Sequence, residues 1–215
     1  MKQFVVIGLG RFGTAVAKTL FDMGYDVMGI DISEERVQEA MGCTTHVVQL
    51  DAIDEGALQS VGIRNFDVAI VAIGQDIQAS ILTTLILKEM GIEYVVAKAQ
   101  NDLHAKVLYK TGADRVVFPE RDMGIRVANN LTSTNILDYI ELAPDYSIVE
   151  ITAPEFMVNK SLKDLDLRAK FGINVVAIKS GKDIIVSPTA DNVIKPGDIV
   201  VAIGSNEKLN KIKER

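Results

Sequence analysis

Phe4-Val5-Val6-Ile7-Gly8-Leu9-Gly10-Arg11-Phe12-Gly13 is the stretch on which the fold turns. Four apolar residues in a row, ended by glycine, read as a strand buried on both faces. The glycines then fall in the pattern G-x-G-x-x-G, and Phe12, Val16, Leu20 and Met23 recur at helical spacing until Gly24 ends the run. Asp26-Val27-Met28-Gly29-Ile30 reads as a second strand, and it delivers Asp31 about twenty residues beyond the turn.

Strand, glycine turn, helix, strand and acid, in that order, make the fingerprint of a dinucleotide-binding βαβ unit. Gly8 permits the tight turn, Gly10 lets phosphate approach the backbone, and Gly13 lets the helix pack close to the strand. Free amides at the helix start then bind the phosphates. Asp31 accepts hydrogen bonds from ribose hydroxyls and repels a 2′-phosphate, which disfavours NADP. The Arg11 guanidinium adds positive charge beside the phosphates and tilts the choice towards ATP or ADP over NADH.

Working outward, Ser33 caps a helix that runs to Met41, with Glu34 and Glu35 opposing the dipole in its first turn. Strands over 46–50, 68–73, 94–97 and 116–118 alternate with helices over 55–61, 77–90 and 103–111. Such alternation predicts an α/β domain over 1–120 with a doubly wound parallel sheet of the Rossmann type. Asp51 follows the third strand and Gly74-Gln75-Asp76 the fourth, at carboxyl ends where ligands gather in open sheets. Asp51 either faces the adenosine or caps the next helix.

After Pro119 the pattern changes. Residues 121–144 read as a helical connector, with polar stretches at Asn129-Asn130 and Thr132-Ser133-Thr134 and a stop at Pro144. Residues 145–215 read as a small α+β domain, with strands over 148–152, 175–178, 184–186 and 199–203, a helix over 162–170 and a short polar helix at the end.

The remaining composition excludes several classes. Of 215 residues, 48% are hydrophobic and 24% charged, a globular balance, and no stretch approaches the roughly 18 uncharged apolar residues of a membrane span. The mean hydropathy of +0.19 is high for such a chain and points either to buried subunit contacts or to strands covered on both faces. A net charge of -6 argues against nucleic acid. With Cys43 alone there is no disulfide framework, and with His46 and His104 as the two histidines there is no zinc spacing. A start that runs straight into a strand leaves no signal peptide, so the expected location is cytoplasmic. His46 and His104 read as structural, and beyond residue 144 there is no histidine, cysteine or tyrosine except Tyr146 while the acids and lysines are scattered without pairing, so no catalytic set is expected.

The glycine turn is joined by Ala72-Ile73-Gly74, Ala97-Lys98-Ala99, Asn101-Asp102-Leu103-His104 and Gly112-Ala113-Asp114-Arg115-Val116-Val117-Phe118-Pro119-Glu120. Together these resemble the RCK proteins (regulators of potassium conductance) along the whole chain, the Ktr-type regulatory subunits more closely than the Trk-type. The resemblance implies a cytosolic gating subunit that forms a homo-octameric ring of dimers beneath a membrane-embedded potassium transporter. ATP and ADP would compete for a site made by Gly8, Gly10, Arg11, Phe12, Gly13, Asp31, Asp51, Ala72, Gly74 and Lys98. Glu120 would bridge subunits and hold an activating divalent or monovalent cation with the terminal phosphates. In the second domain the run from Asp166 to Ile178 resembles a cyclic di-AMP receptor segment, with Arg168 on phosphate, Asn174 on the base and Ile173 and Val175 as apolar neighbours. Gly172 departs from the bulkier polar residue that segment leads one to expect. The alternatives are a NAD(H)-binding redox sensor and a NAD-linked oxidoreductase.

Overall fold

The computed structural model describes residues 2–132, 136–143 and 145–213, so Ser133, Thr134 and Pro144 of the connector lie outside the described residues. The chain divides after Pro119 into two units.

In the first unit, β1 (Gln3–Ile7), β2 (Asp26–Asp31), β3 (His46–Gln49), β4 (Val68–Val71), β5 (Tyr94–Lys98) and β6 (Arg115–Val117) form one sheet in the order β3-β2-β1-β4-β5-β6. All its pairings are parallel. Strand order reverses beside β1, which places a crevice at the carboxyl ends of β1 and β4. Helices α1 (Arg11–Asp22), α2 (Glu34–Ala40), α3 (Glu55–Ser60), α4 (Ile77–Glu89) and α5 (Asp102–Lys110) connect the strands. Two apolar clusters flank the sheet, one around Val5, Ile7, Leu58, Leu87 and Leu108, the other around Val6, Leu9, Ala17, Val37 and Ile70. Alternate residues of β1 thus feed different cores, which is why Val5, Val6 and Ile7 are all buried.

The second unit opens with α6 (Pro119–Thr132), whose first residue precedes the division. Strands β7 (Ile136–Ala143), β8 (Tyr146–Thr152), β9 (Asn174–Ser180), β10 (Asp183–Val186) and β11 (Ile199–Ser205) form a sheet in the order β10-β9-β11-β8-β7. Short helices α7 (Leu162–Leu165) and α8 (Leu167–Phe171), then α9 (Asn206–Lys213), complete it. Its core gathers Val149, Ile151, Met157, Ile178, Ile194, Val200 and Leu209.

Two expectations are corrected. The connector expected as helical over 121–144 is helix only to Thr132, and Ile136–Ala143 is a strand paired antiparallel with β8. Ile136, Tyr139, Ile140 and Ala143 fall at i, i+3, i+4 and i+7, a helical template, and pairing with β8 overrides it. The helix expected over 162–170 is two short helices, because Asp166 takes a left-handed conformation at φ 45° between them.

Candidate functional site

The glycine turn sits where β1 hands over to α1. Gly8 has φ +96°, donates its N–H to the Ile30 carbonyl at 2.8 Å, and lies so close to β4 that a Cβ would come 2.9 Å from the Ile73 nitrogen. Ala72, beside it, is buried. At Gly13 a Cβ would fall 1.9 Å from the Gly8 carbonyl oxygen, so no side chain fits while α1 keeps this approach. Gly10 has an ordinary extended backbone and open space where a Cβ would go. The turn itself therefore does not require glycine here, and the missing side chain leaves its outer side open.

Helix capping separates this edge from its neighbours. Ser33, Asp54, Asp76 and Asn101 each accept an N–H at the start of α2, α3, α4 and α5, whereas α1 has no side-chain cap and no acid in its first turn. Its first N–H groups and positive dipole end are open to an anion. Arg11 stands exposed on that first turn, and Phe12 behind it is half-buried.

Asp31 is 4% exposed and already engaged. One carboxylate oxygen accepts the Leu9 N–H at 2.6 Å and the other the Ser33 N–H at 2.9 Å, with Arg36 Nη1 3.5 Å from the first. The carboxylate thus braces the glycine turn against the end of β2 and retains further lone pairs for a ribose hydroxyl. Arg36 had no place in the sequence reading; its position three residues after the Ser33 cap was the available signal.

Lys98 reaches the same edge from β5. Its Nζ lies 5.9 Å from the Phe12 ring centroid and 3.3 Å from where a Gly74 Cβ would stand. Gln100, also missed, donates its side-chain N–H to the Gly74 carbonyl. Gly8, Gly10, Arg11, Phe12, Gly13, Asp31, Ala72, Gly74 and Lys98 therefore gather at or beside one end of one sheet. Asp51 is exposed beyond β3 and accepts the Ile53 N–H at 3.1 Å, while the cap of α3 is Asp54, so the helix-cap alternative for Asp51 does not hold.

Glu120 is exposed in the first turn of α6. Among the described residues no three His, Cys, Asp or Glu side chains are grouped to hold a metal. In the second unit Arg168 is exposed on α8 and Asn174 is exposed at the start of β9, with Val175 half-buried. Ile173, expected as an apolar neighbour of a ligand, is 1% exposed and packs in the second core. Gly172 ends α8 at φ +64°, a left-handed conformation that favours glycine over the expected bulkier residue.

His104 is buried, and burial lowers its pKa, so the ring is neutral.

Comparison with known proteins gives two domain matches, the TrkA-N domain over residues 4–119 and the TrkA-C domain over residues 146–215. The chain is 53% identical to Ktr system potassium uptake protein C of Bacillus subtilis (strain 168), covering 100% of this chain and 97% of that one. It is 47% identical to Ktr system potassium uptake protein A of the same organism, covering 99% and 96%. Among solved structures, the GsuK RCK domain aligns with a TM-score of 0.55 at 26% identity, covering 100% of this chain and 47% of that one. Among the described residues no helix is long and apolar enough to cross a membrane.

Proposed function

The chain belongs to the RCK family, built from a TrkA-N and a TrkA-C domain, and from that premise we propose that it is the cytosolic regulatory subunit of a potassium transporter. The observation that carries this reading is the match to Ktr potassium uptake proteins, which runs the length of the chain through both domains. The chain is not an enzyme: these relatives are named for potassium uptake, not for a catalysed reaction. In this reading the ion path lies in a membrane-embedded partner, and the regulatory subunit sits against the inner face of the membrane through that partner.

ATP or ADP occupies the edge of the first sheet. The phosphates lie on the uncapped start of α1 beside Arg11, and a ribose hydroxyl meets the braced Asp31 carboxylate. A ligand shifts a conformational equilibrium only by its differential affinity for the two states. Copies of the chain assemble as dimers into an octameric ring, and Glu120 supplies carboxylate oxygens to a cation that the terminal phosphates of ATP also ligate. The diphosphate lacks that bridge, so ATP and ADP favour different ring shapes. Cyclic di-AMP is a second regulator, received on the second unit with Arg168 and Asn174 as its polar contacts and Val175 beside them, without Ile173.

Calorimetry with ATP, ADP, NADH and NADPH, with and without a divalent cation, tests the reading. Tight ATP and ADP binding, sharpened by the cation for ATP alone, is the expected result. Preference for NADH with indifference to ATP replaces it with a redox sensor, and turnover of any alcohol with NAD revives the oxidoreductase. Glu120→Gln is expected to keep nucleotide affinity within about twofold and to abolish the cation's effect on potassium flux, since it removes charge from one ligand only. Undiminished cation activation in that variant removes the bridge.

A further inference from the structure

Beneath the carboxyl edge of the first sheet runs a polar chain through His104, Asn101 and Gln100, residues to which the nucleotide-site reading gives no role. It starts at His104, the third residue of α5, which is 3% exposed. His104 Nδ1 accepts the Gln100 backbone N–H at 3.3 Å, which places the proton of the neutral ring on Nε2. The Asn101 side chain accepts the His104 backbone N–H at 2.9 Å, so the ring and the helix cap grip the 100–101 turn together. From that turn the Gln100 side chain donates to the Gly74 carbonyl. Gly74 in turn lies against the Lys98 amine, which stands near the Phe12 ring at the start of α1.

The other ring nitrogen shows what the histidine is kept for. Nε2 is buried and has no hydrogen-bond partner among the described residues. An unpaired buried donor is destabilising, a cost that leucine or methionine would fill this space without. The benefit that offsets it lies at Nδ1, in the acceptor for Gln100. Burial keeps the ring neutral, so that acceptor persists at physiological pH.

Resting on the nucleotide-site reading above, we propose that His104 is a positioning residue for that site. It acts through Gln100 and the Gly74 carbonyl to hold the loop after β4 where Lys98 and Phe12 flank the phosphates. It does not itself touch the ligand. Gln100 is the lever: it is exposed, so it contributes little to the core, yet it ties the loop after β5 to the loop after β4.

The test uses the full chain with His104→Leu, His104→Asn and Gln100→Ala, read by amide hydrogen exchange without nucleotide and by calorimetry with ADP. His104→Leu is expected to speed exchange over residues 72–76 and weaken ADP, each about tenfold, the scale of one hydrogen bond. His104→Asn restores a side-chain acceptor and is expected to return most of both. Gln100→Ala reproduces the affinity loss with an unchanged melting temperature, and the double variant is no weaker than either single one, because both cut the same chain. If His104→Leu does not fold, Gln100→Ala carries the test. Unchanged exchange over 72–76 in the folded His104→Leu and Gln100→Ala proteins overturns the proposal. A wild-type chain that binds no nucleotide while these variants loosen 72–76 overturns the site reading and supports the coupling from His104 to the loop.

Discussion

In the first sheet β1 buries Val5, Val6 and Ile7 in succession, whereas β11 of the second sheet buries Val200, Ala202 and Gly204 and leaves the residues between them half-buried. The first sheet has an apolar layer on each face, and the second gathers one core around its alternate residues. A strand covered on both faces has no side left for polar chemistry, so a ligand must bind at its end, where the glycines bring backbone close. A sheet covered on one face has room for polar pairs on the other, as in the Lys179–Glu150 pair at 2.6 Å between β9 and β8, which flank β11. The first unit thus concentrates its backbone constraints at one edge, and the second spreads its packing across a face.

Substituting glycines tests that contrast. Gly13→Ala puts a Cβ 1.9 Å from a backbone oxygen that cannot rotate away, and is expected to cost about 3 kcal/mol or more as α1 is driven off the sheet. Gly10→Ala meets nothing within 4 Å, so stability holds while nucleotide affinity falls about tenfold, or about 1.4 kcal/mol. In the second unit Gly204→Ala would place a Cβ 3.1 Å from Ile173 Cγ1 and 3.6 Å from Leu209 Cγ. Side chains yield where a carbonyl does not, and the expected loss is below about 1 kcal/mol. Urea unfolding of the three variants, with calorimetry on Gly10→Ala, gives the ranking; equal losses for Gly13→Ala and Gly204→Ala would break the comparison.

The same contrast explains what could be read from residues alone. Apolar runs, glycine spacing and the helix stop at Gly24 are local signals, and together they located every strand of the first sheet, while the strand order and its reversal beside β1 come from the structure. β7 was not legible, because Ile136, Tyr139, Ile140 and Ala143 fit a helical period and only pairing with β8 makes them a strand. At the site, the glycines, Arg11 and Asp31 stand inside one contiguous fingerprint. Arg36, Gln100 and His104 act across elements: Arg36 Nη1 lies 3.5 Å from Asp31 and the Gln100 side chain donates to Gly74, partners far from obvious in a linear reading. For Asp51 the sequence left two alternatives open, since two acids lie before α3, and the hydrogen bond from the Ala57 N–H to the Asp54 side chain decides that Asp54 is the cap.

The smallest expected effect sharpens the comparison through pH. Asp114 in the first unit accepts the Val95 N–H at 2.7 Å and pairs with Lys88 at 3.0 Å, tying the start of β5 to the turn before β6 and to α4. Partial burial works to raise its pKa, but the Val95 N–H and the Lys88 ammonium outweigh that and hold the carboxyl below its ordinary range. A carboxylate lowered on folding contributes its stability above the unfolded value, about 3.9, and loses it as pH falls through the lower folded value. In the second unit Asp164 is also lowered, chiefly by the Ser161 hydroxyl, but it is exposed and closes only the four-residue α7. Asp114→Asn is therefore expected to destabilise the first unit by about 1 kcal/mol at neutral pH, with the gap to wild type closing as pH drops below about 4. Amide exchange localised to β5 and β6, followed from pH 7 to pH 3, reads it. A gap that stays constant over that range would show that the Asp114 charge does not hold the edge, leaving packing as the common basis of both units.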